Sequence, residues 1–329
     1  MDNTTLQIAN IKHALDDLKL GLSVAISGRT YCLEELQNKN TLCEDEYLLV
    51  TQNKAKTLGI GDDATRLQNI PPLNDPACKG GVCEGEADTA PADDIDKKLL
   101  ELAKMTGFLP SLIVKKSTDA LTEIKNIEHI DTYIKYTQTG FQKIAETQIS
   151  LKRLENAKII LFRSPSGSKH FAIQSGELSD TPIVRVHSAC ITGDLFESLK
   201  CDCGQQLHRS FEIINKEGGL VLYLNQEGRS IGILNKLRAY NLQREGFDTV
   251  EANEMLGFSP DERSFSVASD ILKAMGITRV RLLTNNPKKQ DELESEGIKV
   301  IERIPISITP QENNESYLKT KKNKLGHWM

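Results

Sequence analysis

Three cysteines in the pattern Cys190-x10-Cys201-Asp202-Cys203 constrain this 329-residue chain more than any other feature. Acting together, they require the segments around 190 and 201–203 to meet in the fold. Two thiolates one residue apart and a third upstream can close on one soft or borderline cation. Zinc suits such a set, because it accepts sulfur ligands and imposes no d-electron geometry. Structural zinc sites usually have four protein ligands, whereas three leave a position for water, which loses its proton near neutral pH and becomes a nucleophile. The plainer alternative is three buried thiols behaving as small hydrophobes. Their clustering weighs against it.

The remaining composition sets bounds. A hydrophobic fraction of 39% and a charged fraction of 26% are those of a globular chain long enough for two ordinary domains. With a net charge of −5, no global basic field recruits nucleic acid or an anionic membrane, and an anionic substrate would need a local cluster of Arg and Lys. The acidic, polar opening Met1-Asp2-Asn3-Thr4-Thr5 does not read as a signal peptide, and no apolar run is long enough to span a bilayer. Seven cysteines, three of them assigned to a metal, fit a reducing cytoplasm.

The patterning predicts a mixed α/β protein of two domains, divided near residue 150: residues 1–150 and 151–329. In the first half, Ile8, Ile11, Leu15 and Leu18 mark an amphipathic helix stopped by Gly21. Short strands are expected at Leu22 to Ile26 and Tyr47 to Val50, and helical spacing resumes with Ile95, Leu99, Leu102 and Ala103. Residues 61–95 read as loop, with Pro71-Pro72, a Cys78/Cys83 pair and the acidic run Glu84 to Asp88. That pair is either half of a second metal site or two unrelated thiols. A polar helical stretch should give way near 150 to strands such as Ile159 to Phe162. The second half alternates strand and helix: a helix through Leu207, Phe211 and Ile214, a strand at Leu220 to Leu224, and a turn at Asn225 to Ser230. A helix with Ile233, Leu237 and Tyr240 follows, then strands at Val280 to Leu283 and Ile298 to Ile301. Between the last two, Thr284-Asn-Asn-Pro-Lys-Lys289 reads as strand end, Asn N-cap, Pro at the first helical position, then helix. Such a helix N-terminus is a ready anion site, with Lys288 and Lys289 adding charge; the alternative is a well-capped structural connection.

Taken together, Arg185-Val-His-Ser-Ala-Cys190, Thr192-Gly-Asp194, Cys201-Asp-Cys-Gly204, Gln226-Glu-Gly-Arg229, Asn235-Lys236, Arg238-Ala-Tyr240, Asp248-Thr-Val-Glu-Ala-Asn253, Leu256-Gly257, Asp261-Glu-Arg263 and Leu282-Leu-Thr-Asn-Asn-Pro-Lys288 resemble GTP cyclohydrolase II, in that family's order and approximate spacing. The resemblance implies a C-terminal domain with a mixed sheet and flanking helices. It implies hydrolytic opening of the GTP imidazole ring with release of formate and pyrophosphate, the first committed step of riboflavin synthesis. It further implies one zinc on Cys190, Cys201 and Cys203, magnesium on the triphosphate, and a cytoplasmic homodimer with no nucleic-acid or membrane partner.

By the same matching, the catalytic residues would be Asp261 as proton acceptor, Arg263 toward the α-phosphorus and Tyr240 near the zinc. GTP would be held by Arg185, Val186, His187, Ser188, Ala189, Gln206, Glu227, Gly228, Arg229, Thr249, Thr284 and Lys289, with Glu227 on the guanine edge. Arg263 is either a covalent nucleophile or a charge stabiliser, since a guanidinium stays protonated in proteins. Ala189 and Asn225 depart from the family pattern, which usually has Glu and Arg at those positions. They keep open a paralogue with another product or purine nucleotide; a nucleotide-binding regulatory subunit without turnover is a third reading.

The first half is similar to scattered parts of dihydroxybutanone phosphate synthase, but that family's acidic metal-binding loop and its His-Arg-x-Gly-His-Thr type segment are absent. It reads as a degenerate, non-catalytic relative, and every cyclohydrolase motif lies beyond residue 150. A fragment beginning there is therefore expected to retain GTP hydrolysis if it stays folded. The protein should make no dihydroxybutanone phosphate from ribulose 5-phosphate; product above a no-enzyme control would overturn this reading of the first half.

Overall fold

The computed structural model describes residues 3–37, 42–68, 88–164, 167–306, 308, 324 and 326. The Pro71-Pro72 turn, the Cys78/Cys83 pair and the acidic run up to residue 87 lie outside them. Among the described residues, no helix is long and apolar enough to cross a membrane.

The chain forms two compact units, and their division is not the sequential one expected. The first holds residues 1–135 and also 231–262; the second holds 136–230 and 263–329. Each is built on a seven-stranded sheet with helices, a mixed α/β architecture.

In the first unit the strands are β1 (Val24–Ile26), β2 (Arg29–Leu33), β3 (Glu46–Val50), β4 (Thr65–Gln68), β5 (Asp88–Pro91), β6 (Ser111–Lys116) and β7 (Thr122–Glu123), in the order β5-β4-β3-β6-β2-β1-β7. All pairs are antiparallel except β1 with β7. Helices α1 (Asn3–Lys19) and α3 (Asp94–Lys104) bury Ile11, Leu15 and Leu18, and Leu99, Leu102 and Ala103, as their spacing predicts. Asp93 and Asp96 form a capping box on α3, and the buried Asp96 carboxylate also accepts from Arg29, Arg66 and the Tyr31 hydroxyl. The remaining helices are α2 (Gln52–Thr57), α4 (Glu128–Gln138, in whose last turn the first unit ends), α7 (Gly232–Arg244) and α8 (Thr249–Met255).

The second unit's strands are β8 (Gln142–Leu151), β9 (Leu154–Arg163), β10 (Lys169–Ser175), β11 (Ile183–Ser188), β12 (Gly219–Leu224), β13 (Arg279–Leu283) and β14 (Lys299–Ile304), ordered β14-β13-β11-β12-β10-β9-β8. The polar stretch expected to be helical up to about residue 150 is so only through α4, and β8 follows it as an edge strand. The four strands β14, β13, β11 and β12 are mutually parallel, and the rest antiparallel.

Strand parity sorts the side chains in this sheet. Val184, Val186, Leu220, Leu222 and Leu224 join a core with Phe265, Ile271 and Leu272 around α9 (Ser266–Ala274), and with Leu293 of α10 (Pro287–Ser295). Ile183 and Val221 face the opposite way, toward Leu207 and Ile214 of α6 (Cys203–Glu217). By the same parity Arg185 and His187 lie on the α6 face. After β11 the chain passes to β12 on one side, and after β13 it passes to β14 on the other. The ends of β11 and β13 are therefore a topological switch point, where connecting loops diverge and leave a crevice at the carboxyl ends of the strands.

A buried imidazole holds the loop after β12. Nδ1 of His170 accepts the Asn225 N–H at 3.1 Å, Nε2 lies 3.3 Å from the Ser168 hydroxyl, and Phe141 meets the ring edge-on at 4.9 Å. Burial lowers the His170 pKa from 6.5 to about 4. The unfolded chain takes up this proton at the higher pH, so the stabilisation is complete above 6.5 and is lost as pH falls toward 4. At 1.36 kcal/mol per pKa unit the loss is about 3 kcal/mol. Unfolding measured across this range should be less pH-dependent in His170→Gln than in the parent; equal slopes would contradict the assignment.

Candidate metal centre and anion site

The loop after β11 carries Cys190 into a single helical turn, α5 (Ile191–Asp194), and Cys201 and Cys203 precede and open α6. Their sulfurs all lie within 4.8 Å of one another, with Cys190 Sγ and Cys201 Sγ 3.7 Å apart. A tetrahedral metal with metal–sulfur bonds of roughly 2.3 Å has an edge of roughly 3.8 Å, so the spacing fits. Among the described residues this is the one cluster of three such ligands. Contact with the Cys190 thiol is the main reason the Cys201 pKa rises to about 11, and the same contact, with Cys201 beside it, pushes the Cys203 pKa well above the ordinary thiol range. Three thiols crowded this way resist ionisation, and a coordinated cation reverses that preference.

Two glycines permit the approach. A methyl group on Gly193 would lie 2.8 Å from Cys201 Sγ and 3.1 Å from Cys190 Sγ; one on Gly204 would lie 2.3 Å from the Gly193 carbonyl oxygen. Asp194 then fixes the turn. Its carboxylate accepts the Cys190 N–H at 3.0 Å, the Tyr223 hydroxyl at 2.9 Å and His187 Nε2 at 3.2 Å. The β11–β12 register sets His187 opposite Tyr223, and their rings stack at 5.6 Å. Burial depresses the His187 pKa against the opposing pull of Asp194. Asp202, between two of the cysteines, accepts from Gln206, whose own carbonyl accepts from Arg185.

Cations gather at the same strand ends. Arg185 is buried, donates to the Leu283 carbonyl at 3.0 Å and leaves Nε without a hydrogen-bond partner among the described residues. Burial lowers its pKa to about 10, opposed by Asp202 and Cys203. Lys289, also buried, donates to the Val186 carbonyl at 2.7 Å. Arg263 lies 3.4 Å from the Ser188 hydroxyl, its carbonyl accepts from Lys288, and both Arg263 and Lys289 sit 5.1 Å from the Phe265 ring centre. Helix α10 opens beside them as expected, with Asn286 as N-cap and Pro287 first; Thr284 Oγ1 accepts the Asn286 N–H at 3.0 Å. The loop after β12 is strained: Gly228, Arg229 and Ser230 all have positive φ (61°, 59° and 71°), which only glycine adopts freely. Glu227 closes that loop by accepting from the N–H groups of Ile191 and Gly228.

The second unit thus contains Cys190, Cys201, Cys203, Arg185, Val186, His187, Ser188, Ala189, Gln206, Glu227, Gly228, Arg229, Arg263, Thr284 and Lys289, whereas Tyr240, Thr249 and Asp261 belong to the first. The Val186 side chain is committed to the core, so only its backbone faces Lys289. Ala189 donates its N–H to the Leu224 carbonyl, and the exposed Asn225 is held by His170. Sequence reasoning did not single out Asp194, Asp202 or Tyr223 for roles of their own. The Asp residues lay inside quoted motifs, but the role of Tyr223 depends on strand register, which sequence does not display.

The profile of the family described as GTP cyclohydrolase II matches residues 142–305. A protein named riboflavin biosynthesis protein RibBA from Phocaeicola vulgatus is 53% identical over 174 residues, 52% of this chain; the chain spans only 43% of that relative. Proteins of the same name from two Bacillus cereus strains are 38% identical over 313 residues (91% of this chain, 78% of the relative) and 53% identical over 282 residues (81% and 70%). The 313-residue match extends through the first unit. From the geometry, Cys201→Ser and Gly193→Ala should each lose most bound metal while keeping secondary structure. Metal analysis showing full occupancy in both would dismiss the sulfur cluster as a binding site.

Proposed function

The chain belongs to the GTP cyclohydrolase II family, and on that premise we propose that it opens the imidazole ring of GTP by hydrolysis. Formate and pyrophosphate leave, and a diaminopyrimidinone ribosyl phosphate remains. The observation that carries this reading is the sulfur triad set beside Arg185, Arg263, Lys288 and Lys289 at one switch point. This pairs a site able to activate water with one suited to a polyphosphate.

The all-sulfur donor set of Cys190, Cys201 and Cys203 fits zinc, which when bound there would supply Lewis-acid activation of water. Asp194 holds the Cys190 loop so that its sulfur keeps its place. Arg185 and Lys289, fixed by backbone carbonyls, present charge to phosphate without reorganising, and magnesium on the triphosphate shares that neutralisation. Glu227 presents its carboxylate to the guanine edge, while Gln206, Arg229, Thr249 and Thr284 contact the remainder of the nucleotide. Asp261 accepts a proton, and Tyr240 acts at the ring-opening end. Arg263 faces the α-phosphorus, where a planar cation stabilises the charge that grows as pyrophosphate departs. Homodimeric assembly and a cytoplasmic setting belong to the same reading, as does a first unit that is a non-catalytic synthase relative. A paralogue that stops at another product rests on Ala189 and Asn225 alone.

Incubating the protein with GTP, magnesium and zinc should yield formate and pyrophosphate with the pyrimidinone product, identified by mass. Arg263→Ala and Arg263→Lys should suppress pyrophosphate release, by on the order of 100-fold or more if the cation supplies the several kcal/mol typical of such groups, with zinc content unchanged. Zinc loss, or normal turnover in the Ala variant, would place Arg263 outside the phosphate end.

A further inference from the structure

Tyr240, Thr249 and Asp261, which the family resemblance gives roles in the reaction, all lie on the 231–262 segment. That segment folds as part of the first unit, with residues 1–135. We infer that residues 1–135 are the platform that positions this segment, with Glu35, Thr51, Asn53 and Lys54 as the positioning residues. The inference rests on the GTP cyclohydrolase reading above for its effect on turnover.

The attachment is specific at both ends of the segment. On α7, the Arg238 guanidinium meets the Glu35 carboxylate fork to fork, with Nη1 3.0 Å from Oε2. The same Glu35 oxygen accepts the Leu109 N–H at 3.0 Å, and Arg238 Nη1 also donates to Asn235 Oδ1 at 2.9 Å. Asn235 is fully buried and donates to the Gly107 carbonyl at 3.0 Å. These contacts fix α7 two residues before Tyr240.

The second attachment is at the end of α8, where a helix leaves carbonyls without internal partners. The first turn of α2 and its N-cap supply donors to this stretch. The Thr51 hydroxyl donates to the Gly257 carbonyl at 2.7 Å, Asn53 Nδ2 to Phe258 at 2.9 Å and Lys54 Nζ to Met255 at 2.8 Å. The lysine also places a cation where the helix dipole is negative. Gly257 has φ +88°, and a methyl group there would lie 3.1 Å from Thr51 Oγ1 and 3.2 Å from Pro110 Cγ, so the approach is close. Glu262, immediately after Asp261, pairs with Lys104 at 3.2 Å. Asp261 is therefore bracketed by attachments at Phe258 and Glu262.

A fragment beginning near residue 150 lacks all of the partners that residues 1–135 supply, so the expectation that it retains GTP hydrolysis if it stays folded is replaced by the opposite one. A misplacement of about 1 Å can cost on the order of 100-fold in rate. The test uses the full chain with Glu35→Ala, Thr51→Val, and Lys98→Ala as an exposed first-unit control. In Glu35→Ala and Thr51→Val, amide exchange across 231–258 should accelerate at least tenfold while α6 stays protected. kcat for GTP should fall about tenfold or more, with zinc content little changed. Glu35→Asp should restore part of kcat. Lys98→Ala should match the parent in every readout. Unchanged exchange, or faster exchange with parental kcat, would overturn the inference. A parent protein that exchanges as described but does not open GTP would sink the proposed function instead, leaving the exchange result to decide whether the platform exists.

Discussion

Three thiols in contact cannot all ionise without a cation, and much of the second unit's polar end is built to keep them in contact anyway. Gly193 and Gly204 bear no side chain because there is no space for one, and the Asp194 carboxylate spends its accepting capacity on Cys190, His187 and Tyr223. A buried carboxylate with three donors is well compensated, whereas the thiols crowd against one another. The imbalance is a stored preference for a metal: the apoprotein bears the cost of crowding, and coordination removes it.

The cations beside this cluster pose the converse problem. Arg185 and Lys289 are buried, so each costs desolvation free energy that carbonyl contacts only partly offset. Burial at such a cost contributes little to stability, which accords with the anion-binding role proposed for them. Their location follows from topology. Only where the chain turns opposite ways after β11 and β13 does a crevice open at the strand ends, and the loops there carry Cys190 and Thr284.

Much of this was legible in the sequence. The Cys-Asp-Cys spacing, the Asn-Pro helix start and the apolar runs of β12 and β13 have local physical causes, and they appear where those causes predict. Two features were not legible. Strand β8 is exposed along nearly all of its length, so it lacks the alternation by which a half-buried strand is recognised, and its polar residues read as helix. The grouping of 231–262 with the first unit depends on pairs such as Glu35 with Arg238 and Thr51 with Gly257, about 200 positions apart. No periodicity or spacing rule reaches across that distance.

The length of the helices explains why such pairs are needed at all. Helix α8 has seven residues and α7 thirteen, and isolated helices below about 12–15 residues are marginal in water. The Asp248–Glu251 capping box secures only the start of α8, and the groups that secure its end come from α2. On α7, most large apolar side chains point outward, Ile233, Leu234 and Leu237 among them, while Asn235 and Ala239 are the buried positions. A helix attached through an asparagine and an arginine gains little from burial and much from directional bonds, which fix rotation about its axis as well as position. Orientation of that kind matters more to a segment proposed to carry reactive side chains than to one that merely fills a core.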